Sequence, residues 1–414
     1  MTPTSATAGG VILYEVGTVD VGLAAAGYGA RAQDASTVLA NPAGMTRLTG
    51  SQAAFGAQML YGDLKFSSGA GTSGALTGGD GGNPVGWFPG GSAFFSHSVS
   101  PDLSVGFGLA GTFGLALEYD SDWVGRYYVQ EATLMGVSLL PSIAYRINEQ
   151  LSLGASINAM YSKMEQKVAI NNPLSPEDGQ LKVDDSDWGW GVNLGLLYQI
   201  DPATRLGLVY NSQVVLSFQS DAKFSNLEPL LQGLLGARGL LNAKIDLGMR
   251  VPQGLMGSVY HQLDDRWALL GSVGWQDWSE FGRVDVGISD TDNPKSVTAD
   301  LDYKDTWHAA VGAQYRVSEP WLLHFGVAYD SKFQSGDVSP ALPANSAWRF
   351  GVGAQNEVSK TLSWSVSGAY VYTGTLDVDG QTRAPVALGG QGDLKGSFEN
   401  AGMFFLAATL NWKF

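Results

Sequence analysis

The last stretch of the chain, Phe404-Phe405-Leu406-Ala407-Ala408-Thr409-Leu410-Asn411-Trp412-Lys413-Phe414, alternates strictly. Phe404, Leu406, Ala408, Leu410, Trp412 and Phe414 share one face, and Ala407, Thr409, Asn411 and Lys413 share the other. This is the period-two pattern of a β-strand with one apolar face. A strand that runs to the terminus leaves an unpaired sheet edge, which soluble proteins avoid. A membrane-spanning barrel removes the edge, because its last strand pairs with its first.

The same alternation recurs throughout. Val105, Phe107, Leu109, Phe113, Leu115 and Leu117 are expected on one face, against Gly106, Gly108, Ala110, Thr112, Gly114 and Ala116. Trp307, Ala309, Val311, Ala313 and Tyr315 oppose His308, Gly312, Gln314 and Arg316, while Trp321, Leu323, Phe325, Val327 and Tyr329 oppose His324, Gly326 and Asp330. Several apolar faces begin or end in Trp or Tyr, as the aromatic girdles of a bilayer-spanning barrel require. The 414 residues include 12 Trp, 16 Tyr and 17 Phe, yet only 15% are charged. A soluble domain carries about 25%. No apolar run reaches the roughly 18 residues of a transmembrane helix.

Short polar links at Ser100-Pro101-Asp102, Asn148-Glu149-Gln150, Asp201-Pro202-Ala203, Asp264-Asp265, Ser318-Glu319-Pro320 and Val358-Ser359-Lys360 alternate with longer connections. The longer ones fall around 67–91, 120–130, 170–185, 221–240, 290–297, 334–345 and 376–392. The expected fold is therefore all-β: a transmembrane antiparallel β-barrel of about fourteen strands, spanning residues 51–414. Short periplasmic turns, long outer loops and two periplasmic termini follow from the outer-membrane arrangement. Residues 1–50 do not alternate and are expected to fold inside the barrel as a plug. Within them, Ala6-Thr7-Ala8 resembles an export cleavage site and suggests a mature start near Gly9. A leucine-rich stretch, Leu227 to Leu241, reads as a short amphipathic helix in an outer loop. Its Leu230, Leu231, Leu234 and Leu235 are candidates for capturing an apolar ligand.

With these features in place, the chain resembles the FadL-type outer-membrane transporters of long-chain fatty acids and hydrocarbons. The likeness is carried by Gly27-Tyr28-Gly29-Ala30-Arg31-Ala32-Gln33-Asp34-Ala35-Ser36, by Asn41-Pro42-Ala43-Gly44, and by Gly111-Thr112-Phe113-Gly114-Leu115-Ala116. The resemblance implies a hatch that uses Asp34, Asn41, Pro42 and Ala43. It also implies an inward kink in the third strand that opens the wall sideways, for which Gly106, Gly108, Gly111 and Gly114 supply the freedom. In such a family the N-terminal residues reach the ligand pocket, which makes Val11 and Leu13 candidate ligand contacts. The connection at 170–185 is short for a family whose outer loops form a large capture groove.

By strand phase, His308, Lys332 and Arg349 are expected to point inward in the outer half of the lumen, where a cation can meet a carboxylate. The alternative is pairing with inward acids such as Glu118 or Asp330. Lys163 and Lys167 are placed outward at the outer rim, suited to lipopolysaccharide phosphates. Asp184, Asp185 and Asp187 are candidates for a divalent cation or for an ordinary solvated loop. His97 and His261 sit beside short turns, and no catalytic or metal-ligand spacing stands out, so neither an enzyme nor a cofactor is expected. The net charge of −15 speaks against nucleic acid. The absence of Cys suits an oxidising compartment.

The expected function is passive passage of hydrophobic molecules, with fatty acids or oxygenated fatty acids first and small aromatic hydrocarbons second. A water-filled porin or an outer-membrane lipid hydrolase are the readings of other classes. The partners are the ligand, outer-membrane lipid and lipopolysaccharide, and the chain is expected to be a monomer.

Overall fold

A computed structural model describes residues 14, 16–74, 76–172, 174–289, 295–380 and 391–414. Fourteen strands form a closed antiparallel barrel. They are β1 (Ser51–Asp63), β2 (Gly86–Ser98), β3 (Leu103–Glu118), β4 (Glu131–Arg146), β5 (Leu151–Ile170), β6 (Gly179–Asp201) and β7 (Thr204–Asn211), followed by β8 (Gly254–Gln262), β9 (Trp267–Gln276), β10 (Thr306–Ser318), β11 (Trp321–Asp330), β12 (Ala347–Glu357), β13 (Leu362–Gly380) and β14 (Leu394–Lys413). Each strand pairs with its sequence neighbours. The ring closes between β1 and β14, where Gln52 lies opposite Lys413 and Asp63 opposite Gly402. The alternating C-terminal residues thus form the closing seam. Leu406, Leu410 and Trp412 face outward, while Phe405, Ala407 and Asn411 are buried within.

The short and long connections fall at opposite ends. Aromatic side chains gather where the outward apolar band stops at each end. Near the short turns, Trp267 contacts Tyr315, Trp321 contacts Trp364, and Trp412 contacts Phe414. Toward the long loops, Tyr61 contacts Trp87, Tyr161 contacts Trp188, Tyr329 contacts Trp348, and Tyr370 contacts Phe404. These are two girdles, with an exposed apolar belt of Val, Leu and Phe between them.

Two expectations need correction. Phe113 and Leu117 do not continue the outward face of Val105, Phe107 and Leu109, because both are 2% exposed. A bulge between Gly111 and Phe113 inserts one residue into β3 and reverses its phase. The connection expected at 170–185 is shorter, because strand covers Ile170 and everything from Gly179 on, whereas 221–240 is mostly irregular and carries the helix Pro229–Ala237. β5 and β6 pair as far as Ile170 opposite Gly179. Beyond β7, segments Val214–Asp221, Lys244–Val251, Arg283–Ser289 and Lys295–Asp300 build a separate four-stranded sheet. Val214, Leu216 and Phe218 are its buried phase, so its alternation packs on protein rather than lipid.

Before β1 the chain forms helix α1 (Thr18–Leu23), helix α2 (Thr37–Ala40) and a 3-10 turn, Pro42–Arg47. In the outer region, α3 (Pro229–Ala237) carries no buried residue, and α4 (Trp278–Phe281) packs two aromatic rings inward. Val19, Leu23, Ala26 and Ala30 pack against Tyr260, Leu270, Ala310 and Ala328 of the wall. Val16, Val38 and Met45 pack against Phe94, Ala110, Leu140 and Ala144. Each large apolar side chain buried there contributes roughly 1.5–3 kcal/mol.

Candidate functional site: a plugged lumen with a break in its wall

The segment from Val16 to Leu48, the plug, packs against the inward side of the wall, and glycines in the wall let it approach. A Cβ on Gly326 of β11 would lie 1.9 Å from the Leu23 carbonyl oxygen. One on Gly207 of β7 would lie 2.0 Å from the oxygen of Gly29, and one on Gly351 of β12 would lie 2.3 Å from that of Val21. On Gly154 of β5 it would meet the Ala43 amide at 2.2 Å, and on Gly195 of β6 the Asn41 Oδ1 at 2.0 Å. The small inward face that reads as a roomy lumen is therefore a seat for plug backbone. The repeated inward glycine was the available signal, on strands that otherwise have no reason to omit a side chain.

Asn41 is the main polar anchor. It is 1% exposed. Its Nδ2 donates to the carbonyls of Gly29 at 2.6 Å and Leu196 at 3.0 Å, and its Oδ1 accepts from the Ala43 amide at 3.1 Å. Pro42 fixes the first residue of the 3-10 turn. The Thr46 hydroxyl donates to Ser152 of β5 at 2.8 Å. Asp34 acts locally, accepting from the Ser36 amide and hydroxyl. Arg31 and Asp20 form a buried pair at 2.6 Å, and Gln33 exchanges hydrogen bonds with Gln314 of β10. Asn41→Ala should cost about 1–3 kcal/mol, because buried carbonyls lose their donor. Faster hydrogen exchange in residues 27–47, with the strands unchanged, is the expected measurement.

Above the plug sits a buried charged cluster. Asp330, the last residue of β11, accepts from His308 Nδ1 of β10 at 2.8 Å and from Arg349 Nε of β12 at 2.5 Å. Their register explains the meeting, since Asp330 lies opposite His308 on one side and next to the Ala328–Arg349 pair on the other. Tyr14 of the plug packs 4.8 Å from the His308 ring, and its hydroxyl accepts from Gln276 at 2.5 Å. Burial and the nearby Asp330 charge push its phenol well above the ordinary tyrosine range, so it stays neutral. His308 and Arg349 thus point inward as expected, but both engage Asp330. Lys332 does not join them. Strand β11 has ended, and Lys332 is exposed on the following connection. Glu118 is also exposed. Val11 and Leu13 lie outside the described residues.

The wall is broken between β2 and β3. Their ladder runs from Ser98 opposite Ser104 to Ser92 opposite Ala110, and stops. Beyond that point, Gly86 to Gly91 still pair with β1, and Phe113 to Glu118 still pair with β4. The two strands therefore diverge at the bulge. Pro89, which has no N–H to give to a ladder, sits on the β2 side of the break. Gly111 stands at the start of the opening, where an added Cβ meets nothing within 4 Å, and Gly114 follows where the strand pairs with β4 alone. Gly106 and Gly108 lie lower, and this corrects their assignment to the opening. Their added Cβ atoms would meet Met45 Sδ at 2.4 Å and Val38 at 3.2 Å, so they seat the plug.

Two cavities flank the kinked strand. One, of about 100 Å³, lies between Tyr14, Tyr28 and Leu39 of the plug and Phe113, Met160 and Met256 of the wall. The other, of about 80 Å³, lies beside the break, among Leu60, Phe88, Leu115, Met403 and Phe405, with Arg349 on its lining. The α3 leucines lie apart from both, with Leu230 56% and Leu234 52% exposed and Leu231 and Leu235 half-buried.

The remaining candidates are spoken for locally. Asp185 and Asp187 accept from the amides of Gln219 and Ser217, and Asp184 pairs with Lys223. Lys163 and Lys182 both contact Glu165, and Lys167 contacts Glu131. His97 and His261 bond Ser51 and Thr204 at the short-turn rim. Among the described residues no group of acids and histidines could hold a metal ion.

Comparison with known proteins matches this architecture. Residues 1–414 fit the family model described as outer membrane protein transport protein (OMPP1/FadL/TodX). Outer membrane protein P1 of Haemophilus influenzae is 28% identical over 401 residues, covering 87% of this chain and 85% of its own. The long-chain fatty acid transport protein of Escherichia coli K12 is 25% identical over 409 residues, covering 91% and 90%. Among solved structures, a FadL homologue from Pseudomonas aeruginosa superimposes with a TM-score of 0.85 at 20% identity, over 98% of this chain and all of that one. The toluene transporter TodX of P. putida gives 0.72 at 16% identity, over 96% and 98%. The chain belongs to the OMPP1/FadL/TodX family of outer-membrane proteins, which transport hydrophobic compounds and are not enzymes.

Proposed function

We propose that the protein is a passive, plugged channel that takes up long-chain fatty acids or their oxygenated relatives and releases them sideways into the outer membrane. The short turns and both termini face the periplasm, and the chain works as a monomer surrounded by outer-membrane lipid, with lipopolysaccharide at its outer rim. Leu230 and Leu234 of α3 gather the ligand. Leu230→Ser with Leu234→Ser should raise the concentration for half-maximal uptake and leave the maximal rate unchanged.

The observation that carries the reading is the stopped β2–β3 ladder beside an apolar cavity. Unpaired backbone is costly inside a bilayer unless it lines a cavity or is covered, so a break that persists there has a use. A ligand leaving by this route never crosses the plug or the water beyond it. The inward bulge carries Phe113 into the lumen and links the two cavities through one strand. Arg349, on the lining of the second cavity, supports a carboxylate head group. Small aromatic hydrocarbons are the second reading, favoured by the Asp330 carboxylate that already faces Arg349.

Gly111→Trp tests the route. An added Cβ meets nothing within 4 Å there, so a large side chain can start from this position and cover the break. Uptake of labelled oleate into cells should fall to near background at matched surface expression. Uptake at the wild-type rate would remove the lateral exit.

A further inference from the structure

At the short-turn end, on the far side of the plug from both cavities, a pocket of about 200 Å³ opens between the plug and the wall. Its lining includes Arg47 from the end of the 3-10 turn, Arg146 from the end of β4, and the polar side chains Gln150, Ser152 and Gln199. Arg47 donates to Gln199 Oε1 at 2.6 Å, and Arg146 donates to the Thr46 carbonyl. Behind them, Arg205 of β7 lies over the Tyr260 ring at 4.2 Å. It donates to the carbonyls of Ala30 at 3.0 Å and Arg31 at 2.7 Å.

None of these three arginines has an acid partner among the described residues. Glu149 lines the same rim without pairing to either neighbour. Each guanidinium has five donors, and most of theirs remain uncommitted. This is unusual in a chain of net charge −15, where carboxylates are abundant and the buried Arg31 has one. Arg47 also lies within electrostatic reach of Arg146 and Arg205. Arg47 is exposed and Arg146 half-buried, so their remaining donors face the pocket's solvent, and two like charges on one rim favour an anion between them. Planar guanidiniums from two elements suit an oxyanion that accepts from both.

We propose that this pocket is an oxyanion site, for a carboxylate or a phosphate, that latches the seated plug to the wall from the short-turn side. Arg47 belongs to the plug and Arg146 to the barrel, so a shared anion joins the two. The site is independent of the hydrophobic route, and its failure would leave that route standing.

Titration calorimetry of the full chain in detergent, with inorganic phosphate against a chloride background of constant ionic strength, tests it. The wild type should bind saturably, and bound phosphate should slow hydrogen exchange in residues 42–47. Arg146→Gln should weaken binding roughly tenfold or more, the loss of one charge-assisted contact. Glu149→Gln removes a competing negative charge and should tighten binding. No saturable binding, or binding indifferent to Arg146→Gln, overturns the proposal. Should Arg146→Gln fail to fold, an unchanged affinity in Glu149→Gln overturns it as well. Sodium hexanoate in parallel separates the sources. Binding of phosphate alone assigns a phosphate-bearing ligand, and binding of hexanoate with the same arginine dependence assigns a carboxylate end.

Discussion

Gly326→Val is expected to turn a closed barrel into an ion-conducting one. The new Cβ would fall 1.9 Å from the Leu23 carbonyl oxygen and 2.0 Å from its carbon. Both are backbone atoms, so no rotamer change relieves the overlap. Either the wall or the plug must move, and the wall is held by ladders on both sides, with Gly326 opposite Gly312 and Gly351. The plug is held by packing and by a few side-chain bonds. Overpacking typically costs about 1–3 kcal/mol and occasionally more, and backbone overlap belongs at the upper end. Gly207→Val, whose Cβ would meet the Gly29 oxygen at 2.0 Å, should act alike from another side of the lumen. Gly111→Ala is the control, since its Cβ meets nothing within 4 Å. In planar bilayers the wild type and Gly111→Ala should be nearly silent, and the two valine variants should show long-lived openings. Silence in all four, with the barrels folded, would show that the plug can shift aside without opening a path.

How much of this was legible in the sequence follows from which interactions are local. The strands, turns and closing seam were readable because period-two alternation against lipid is written residue by residue, as in Trp321 to Tyr329. Asn41-Pro42-Ala43 was readable as a turn before the first strand. The bulge at Gly111 was not, because Thr112 and Phe113 look like two more alternating residues. Only the partner strand β4 shows that one of them is extra. The outer sheet was missed for a related reason. Val214, Leu216 and Phe218 alternate as a lipid-facing strand would, and nothing in their spacing says that protein covers them. Lys332 was misplaced by extending the phase of β11 two residues past its end. The break itself had a signal in Pro89-Gly90-Gly91, a poor ladder sequence within a strand, but these residues read equally well as loop. For His308 and Arg349, phase gave the direction and could not give the partner, which depends on three adjacent strands in register.

That partner sets the second large effect. Asp330→Asn keeps the shape of the side chain and removes a carboxylate that bonds both His308 and Arg349. The three residues are 4%, 2% and 4% exposed, so water does not replace the lost charge. Breaking a buried pair by removing one member typically costs about 3–5 kcal/mol. The denaturation midpoint of the barrel should fall accordingly, and the double variant Asp330→Asn with Arg349→Gln should recover most of the loss. Ligand selectivity should move the opposite way. With the Asp330 charge gone, the Arg349 Nε donor that it held is released beside the apolar cavity that Arg349 lines, and a fatty-acid carboxylate can take the place of Asp330. A charge-assisted bond there contributes about 1.5–3 kcal/mol if the cavity is dry, falling to about 0–1 kcal/mol if water reaches it. Oleate should therefore bind more tightly to Asp330→Asn than to the wild type, while toluene, which has no charge to offer, should bind equally to both. Equal tightening of the two ligands would mean that Asp330 only shapes the cavity. Loss of oleate binding with toluene retained would make the carboxylate of Asp330, rather than the guanidinium beside it, the group that positions the ligand.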